Sequence, residues 1–387
     1  MTGMGNSKIV YGGRTLIDLT NDTVTAEKLK AGETAHDKAG NPIVGTLESS
    51  GSSGGFTPPA LGFVPSAWDS DGYITDGTWY GNTIPSYAFY CFSNTSTPWR
   101  IKNIKMAGNI TSIGFYAFFG CSLLNMPSIP DSVTSIGSYA FSNCSNLGLT
   151  SLPSNFTTVP SYVFYNCDGI TQFLLHEGIS SIKNNAFYNC VKLVSVSLPD
   201  TLTSIEDSAF QYCNLLDISS FPEGLTNIGT DAFRGCKSLS LTSLPDSIAD
   251  SISTKRIFYG CTNLAITSLP NGVTAIPASG FSGCTGISLF SLNNGIITIG
   301  ASSFEGCTKL NLTQIPSSVS TINNSAFRNC TSLTNITFEG TPTSIASSTF
   351  NGCTNLTTIN VPWVEGAVAN APWGATNATI NYDYTGA

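Results

Sequence analysis

The stretch Ala140–Leu147, AFSNCSNL, holds a lone cysteine three residues after a phenylalanine and one after an asparagine. The arrangement recurs. The chain's twelve cysteines are Cys91, Cys121, Cys144, Cys167, Cys190, Cys213, Cys236, Cys261, Cys284, Cys307, Cys330 and Cys353. Nine of the eleven intervals are 23 residues; the others are 30, before Cys121, and 25, before Cys261. A fixed period of this length means that each unit is one piece of supersecondary structure, stabilised by stacking on its neighbours.

Aligned on the cysteines, the unit is consistent. Phe stands three residues before every cysteine from Cys121 on, and Leu or Ile three residues after, from Leu124 to Leu356. A second large apolar residue follows, such as Leu152, Leu198, Phe221, Leu244 or Val361, and then often Pro, as at Pro130, Pro153, Pro199, Pro245 and Pro316. A β-branched residue closes most units, as at Ile136, Val159, Ile182, Ile205 and Ile228. From Cys121 on, the residue before the cysteine is Gly or Asn, with Tyr212 the exception. Gly and Asn tolerate positive φ best. Each AFxG or AFxN therefore predicts a short helical turn ended by a left-handed residue, and each CxxLxxxxLP an extended piece ended by Pro. VTSIG, Val133–Gly137, predicts a second extended piece. One unit cannot bury its Phe, Cys, Leu and Ile alone, so the prediction is a solenoid with each residue type stacked on its own kind. At about 4.8 Å per coil, eleven coils would stack to roughly 50 Å.

The cysteines from Cys121 to Cys353 then form an interior ladder of small apolar residues. A disulfide framework fails on spacing, since each coil has one cysteine. Zinc fails for lack of CxxC pairs and of histidines.

Only 10 % of the 387 residues are charged and the net charge is −8. With no Lys/Arg cluster, this argues against nucleic acid and anionic membranes as partners. No run approaches the ~20 apolar residues of a membrane span, so no membrane insertion is expected. The N-terminal stretch lacks the basic-then-apolar layout of a signal peptide, which predicts synthesis and retention in a bacterial cytoplasm or exit by another route.

The unit LTSIGSYAFSNCSNLGLTSLP resembles the BspA-type (Treponema-type) leucine-rich repeat over about residues 84–362. The resemblance implies a leucine-rich-repeat superhelix of about eleven 23-residue coils, mostly short β-strands with short helical turns, used in adhesion and recognition and not in catalysis. The pattern departs at YAFYC, one residue short, with Trp99 in an insertion, and at SIADSISTKRIFYGC, with two residues extra; bulges or bends are expected there.

Residues 1–48 read as a small β-rich attachment module. KIVYGGRTLIDL suits a hairpin turning at Gly12–Gly13, Thr25 suits the cap of a short helix AEKLKA ending at Gly32, and DKAGNPIVGTL suits a second turn and strand. Residues 8–48 resemble N-terminal segments of tail-associated proteins in phages and prophages of gut Firmicutes. That implies docking on other virion or tail proteins, or assembly with copies of itself. Residues 49–55 read as a Gly/Ser linker, 56–83 as an N-terminal cap, 84–362 as the solenoid, and 363–387, with Trp363, Trp373 and a final strand in ATINYDY, as a C-terminal cap.

Chemistry-bearing residues are sparse. His36 is expected in an exposed turn, and His176 replaces the usual Pro. Asp69–Gly77, DSDGYITDG, lacks EF-hand spacing and reads as a solvated turn. Cysteines in the interior are too buried to be nucleophiles. No cofactor or metal is expected, and no enzyme. A row of Ser128, Ser151, Ser197, Ser220, Ser243, Ser268, Ser291 and Thr337 reads as solubility without charge, with a ligand surface as the alternative. The aromatics are the candidate site. Tyr116, Tyr139 and Tyr162 share one position in three consecutive coils, and Phe119, Tyr165 and Tyr188 share a second; Tyr73, Tyr80, Tyr87 and Tyr90 precede them, and later coils turn polar, as at Ser302, Glu305 and Ser325. The row is either an exposed stripe for a host cell-surface protein or glycan, or a face packed on the cap or another subunit. The expected function is a phage tail-fibre or receptor-binding component located in the virion tail. The alternatives are a bacterial surface adhesin and a structural spacer in a particle.

Overall fold

A computed structural model describes residues 8–11, 14–18, 34–36, 42–44, 63–70, 73–91, 99–106 and 109–386. Strands β1 (Lys8–Tyr11) and β2 (Arg14–Asp18) pair antiparallel, as do β3 (Thr34–His36) and β4 (Pro42–Val44). His36 ends a strand, opposite Pro42, and does not stand in the turn expected for it, because Thr34–His36 finds a partner strand. The Gly12–Gly13 turn, the helix after Thr25 and the linker fall outside the described residues.

From Phe63 onward the chain winds as a β-solenoid of about 13 turns, two more than the period alone predicts. The extra turns come from the ends, where the cysteine pattern lapses but the core continues. At the first, Phe89 stacks on Phe118 with centroids 5.1 Å apart, so Tyr90 and Cys91 stand beside Phe119 and Gly120. At the last, the fully buried Trp373 closes the core, its carbonyl accepting the Phe350 N–H at 2.9 Å. Between them runs one phenylalanine ladder, Phe89 to Phe350, with centroids 5.1–6.1 Å apart from rung to rung.

The predicted helical turns are not helices. In the turn Gly114–Cys121, the Ala117, Phe119 and Cys121 N–H groups donate to carbonyls three residues back, at 3.1–3.3 Å. The alternate N–H groups leave the coil: Tyr116, Phe118 and Gly120 donate to Ser138, Ala140 and Ser142 of the next one, at 2.8–3.2 Å. A helix would need every N–H for its own turn, and stacking claims half of them. Left-handed residues stand at both ends of this turn. One is the residue before the cysteine, including Tyr212 with φ 64°; the other lies five residues before it, as at Tyr116, Asn185 and Ser302. Among the described residues the α-helix is α1 (Ala249–Thr254), preceded by a 3-10 turn at Asp246–Ile248. It takes up the two extra residues of that coil, and its Ser251 hydroxyl accepts the Ile228 N–H at 3.2 Å where a strand would otherwise lie.

Two parallel sheets flank the turn. The VTSIG pieces form one, in strict register, from Thr83–Ile84 to Ser344–Ile345. It is interrupted after Ser135–Ile136, where Pro160 has no N–H to give at the position from which Gly137 and Lys183 donate. The CxxLxxxxLP pieces form the other, in segments such as Gln172–Leu174 with Ser195–Ser197, and Gln314–Ile315 through to Thr379–Asn381. At the N-terminal end β5 (Phe63–Trp68), β6 (Ile74–Trp79) and β8 (Trp99–Met106) form a three-stranded sheet, and β7 (Thr83–Ile84) is the first strand of the VTSIG row. The fully buried Trp79 meets Phe89 edge-on at 5.9 Å. No helix of the described residues is long and apolar enough to cross a membrane.

Every ladder cysteine makes the same contact. Its thiol lies 2.9–3.1 Å from the carbonyl of the phenylalanine one coil back, from Cys121 on Phe89 to Cys353 on Phe327. Burial pushes up the thiols of Cys144, Cys167, Cys213, Cys236, Cys261, Cys284 and Cys330, and it pushes Cys307 to about 12 and Cys353 to about 11. The ladder thiols should therefore resist a water-soluble disulfide reagent in the native state and react together on unfolding; rapid native labelling of more than one of them would contradict the fold. Replacing a mid-ladder ring, Phe210→Ala, should cost about 3–5 kcal/mol in urea denaturation.

Candidate functional site

The two aromatic columns lie on the turn edge of the solenoid, five and two residues before the cysteine. The structure brings their members together. Tyr87, Tyr116, Tyr139 and Tyr162 stack ring on ring, with centroids 5.4, 4.6 and 4.3 Å apart. Phe119 stacks on Tyr90 at 5.1 Å, and Tyr165 on Tyr188 at 4.6 Å. Ser142 separates Phe119 from Tyr165 in that column. The columns touch through Tyr116–Phe119 at 5.1 Å and Tyr162–Tyr165 at 6.0 Å. Among the described residues the six predicted ones are half-buried and in contact with neighbours. Tyr73 lies apart, 4.1 Å beneath the Arg100 guanidinium.

Stacking decides what the edge presents. The rings use their faces on one another, so the surface carries ring edges and phenol hydroxyls. Tyr87, 54 % exposed, ends the stack. The four stacked tyrosines are held left-handed, with φ of 55–62°, at about 1–2 kcal/mol each. Each aromatic contact returns about 0.5–1.5 kcal/mol beyond area burial. Burial and neighbouring phenols raise the Tyr116, Tyr139 and Tyr188 hydroxyls, Tyr139 to about 12. These phenols are neutral hydrogen-bonding groups at physiological pH.

Followed further, the columns hold a cluster that the expectation of polar later coils missed. The position five before the cysteine continues as Asn185, Ser208, Asp231 and Arg256; the position two before continues as Gln211, Arg234 and Tyr259. Arg256 forks onto Asp231, Nε to Oδ1 at 2.8 Å and Nη2 to Oδ2 at 2.7 Å. The Arg234 guanidinium lies 4.8 Å from the Tyr259 ring and 5.8 Å from Tyr212, which meets Tyr188 edge-on at 5.7 Å. Tyr212 stands where Gly or Asn is usual, and its ring covers Gly235, where an added Cβ would come within 2.9 Å of it. The alternation of Tyr and Arg in the same two columns was the available signal. Phe115, 39 % exposed, also joins the stripe, with its centroid 4.2 Å from Tyr116.

The other candidates are occupied otherwise. The His176 ring nitrogens lie 2.8 Å from the Glu177 carbonyl and 3.1 Å from that of Pro153, tying two coils together. Asp69 accepts the Tyr73 N–H at 2.9 Å and pairs with Arg100 at 3.2 Å. Asp76 accepts from Thr75 and Asn103. The Ser128-to-Thr337 row is exposed or half-buried on the second sheet. Beside it lies an open depression of about 430 Å³ that includes Asp200, Asp217 and Glu223. Among the described residues no three His, Cys, Asp or Glu side chains are placed to hold a metal.

The sequence matches the family described as "BspA type Leucine rich repeat region", in six copies, over residues 82–217, 213–316 and 250–366. A search of curated proteins found no match. Solved structures give fold-level likeness. A leucine rich cell surface protein from Faecalibacterium prausnitzii is 23 % identical, with 88 % of this chain and 100 % of that one covered and a TM-score of 0.44. A leucine-rich repeat protein from Bacteroides ovatus is 22 % identical over 83 % and 98 %, with a TM-score of 0.46. The pneumococcal vaccine antigen PcpA is 14 % identical over 92 % and 100 %, with a TM-score of 0.42.

The raised Tyr139 phenol has a pH signature. A proton held more tightly in the folded state stabilises fully below the ordinary tyrosine value of 10.0, and that contribution is lost as pH rises through about 12. A phenolate-absorbance titration of Tyr139→Phe should lack the latest component, and an unchanged titration would contradict the stacked geometry.

Proposed function

We propose that this chain, which belongs to the BspA-type leucine-rich repeat family, is a non-enzymatic recognition protein displayed on a bacterial surface. Its turn edge contacts a host cell-surface protein or glycan. The observation that carries the reading is the continuous aromatic edge, where stacked tyrosines hold neutral hydroxyls in rows on a rigid, charge-poor scaffold. The non-enzymatic part is supported by the state of the cysteines and of His176. The cysteines from Cys121 to Cys353 are buried, and both ring nitrogens of His176 face backbone carbonyls.

A second reading makes the protein a phage tail-fibre component docking through residues 8–48. It rests on the sequence resemblance of that module alone; the family match begins at residue 82. Surface display is the reading kept here. Multivalent display would strengthen weak single contacts in either setting.

The test is the full chain fused to a fluorescent protein, applied to host epithelial cells and to a panel of gut bacteria. Beside it stands the triple variant Tyr116→Ser, Tyr139→Ser, Tyr162→Ser. Serine is native to this column at Ser279, Ser302 and Ser325, with φ of 53–58°, so the variant should fold. The expected outcome is binding to host cells, reduced about tenfold or more in the variant. Binding to a few bacterial strains instead would favour the tail reading, and no binding by folded, multivalent protein would leave a structural spacer.

A further inference from the structure

We propose that Arg234 binds a carboxylate of an acidic polysaccharide lying along the aromatic edge, an inference that rests on the recognition role above and names its ligand class. The chain has five arginines and a net charge of −8, and two of the five, Arg234 and Arg256, stand together. Between them lies one carboxylate, Asp231, and Arg256 takes both of its oxygens at 2.7–2.8 Å. Arg234 is left 3.8 Å from Asp231, beyond hydrogen-bond length, with its side chain 28 % exposed. The Tyr212 and Tyr259 rings flank its guanidinium. It is a positioned fork with unfilled donors, matched to a planar carboxylate. Because the rings already orient it, little side-chain freedom is lost on binding.

The neighbouring surface selects the rest of the ligand. Tyr165 and Tyr188 continue from the cluster with their faces on one another and their edges outward. Ring edges and phenol hydroxyls suit a polymer rich in hydroxyl groups better than an apolar protein patch. The tyrosines repeat once per coil, so a linear polymer can meet successive coils. The acidic remainder of the protein repels polyanions, which confines attraction to this spot.

The test measures binding of the full chain to immobilised hyaluronate and polygalacturonate, whose only charges are carboxylates. Dextran, dextran sulfate and polyglutamate serve as neutral, sulfated and peptide counterparts. Saturable binding to the carboxylate polysaccharides is expected, weakening as salt rises. Arg234→Gln should lower affinity about tenfold or more, reflecting a lost charge-assisted contact. Arg234→Lys should recover part of it, and Arg328→Gln, which alters an arginine paired with Glu305 in a later coil, should change nothing. Thermal melts confirm that each variant is folded. Absence of carboxylate-polysaccharide binding, equal or tighter binding of dextran, dextran sulfate or polyglutamate, or an equal loss in Arg328→Gln would overturn the proposal. So would host-cell binding by the fusion that Arg234→Gln leaves intact, and that result would leave the recognition role standing.

Discussion

The carbonyl of each ladder phenylalanine from Phe118 to Phe327 takes two donors. One is the N–H of the cysteine three residues on; the other is the thiol of the cysteine in the next coil. For Phe118 these are Cys121 at 3.1 Å and Cys144 at 3.0 Å. Between those rungs a cysteine must therefore follow each phenylalanine by three residues and again by three plus one period. The longer coil shows what is held fixed. Cys261 still reaches Phe233 at 3.0 Å, 28 residues away, because α1 absorbs the two extra residues before the turn begins. Insertion is tolerated outside the ladder, where water can satisfy the backbone. Inside it, a one-residue slip would strand a buried thiol and a carbonyl lone pair. Cysteine fits because it is small, apolar enough for a fully buried site and still a weak donor.

How much of this was legible follows from which interactions have a residue-type signature. The phenylalanine, cysteine and leucine ladders were read directly, because each buries one residue type at one spacing. The left-handed residue before the cysteine was read from Gly and Asn. The left-handed residue four positions earlier was not, because Tyr116, Tyr139 and Tyr162 are poor residues for that conformation and hid the Asn, Ser and Asp of later coils. Tertiary stacking overrode local preference there. The helical turns were misread for a related reason. AFSN has the sequence of a helix end, but where its N–H groups go is settled by the next coil, which no local window contains. At the ends Phe89 and Trp373 continue the core while leaving the cysteine register.

The surface columns show the reverse relation. Nothing in the core demands tyrosine five residues before the cysteine, since serine holds the same backbone at Ser279, Ser302 and Ser325 with φ of 53–58°. The aromatic residues sit where the scaffold is indifferent and carry a conformational cost. Stacking repays part of that, yet the serine coils do without either. A feature the fold can omit, built up over consecutive coils, calls for an explanation outside the fold. Half-burial of the rings fits this: they are ordered by one another.

A strict repeat gives a surface that looks alike from coil to coil, so a ligand meeting only repeated groups has no reason to stop at one coil. Position has to come from a break in the pattern. This chain has one at the 25-residue coil, where the inserted α1 delivers Lys255 and Arg256 together. Lys255 donates to the Asn227 side chain at 2.6 Å, and Arg256 takes Asp231. With Asp231 occupied, Arg234 is released from the i,i+3 pairing it would otherwise make at full strength. The insertion that spares the core thus places unmatched positive charge at the end of the tyrosine row, where the repeated surface supplies contact and the irregular coil supplies register.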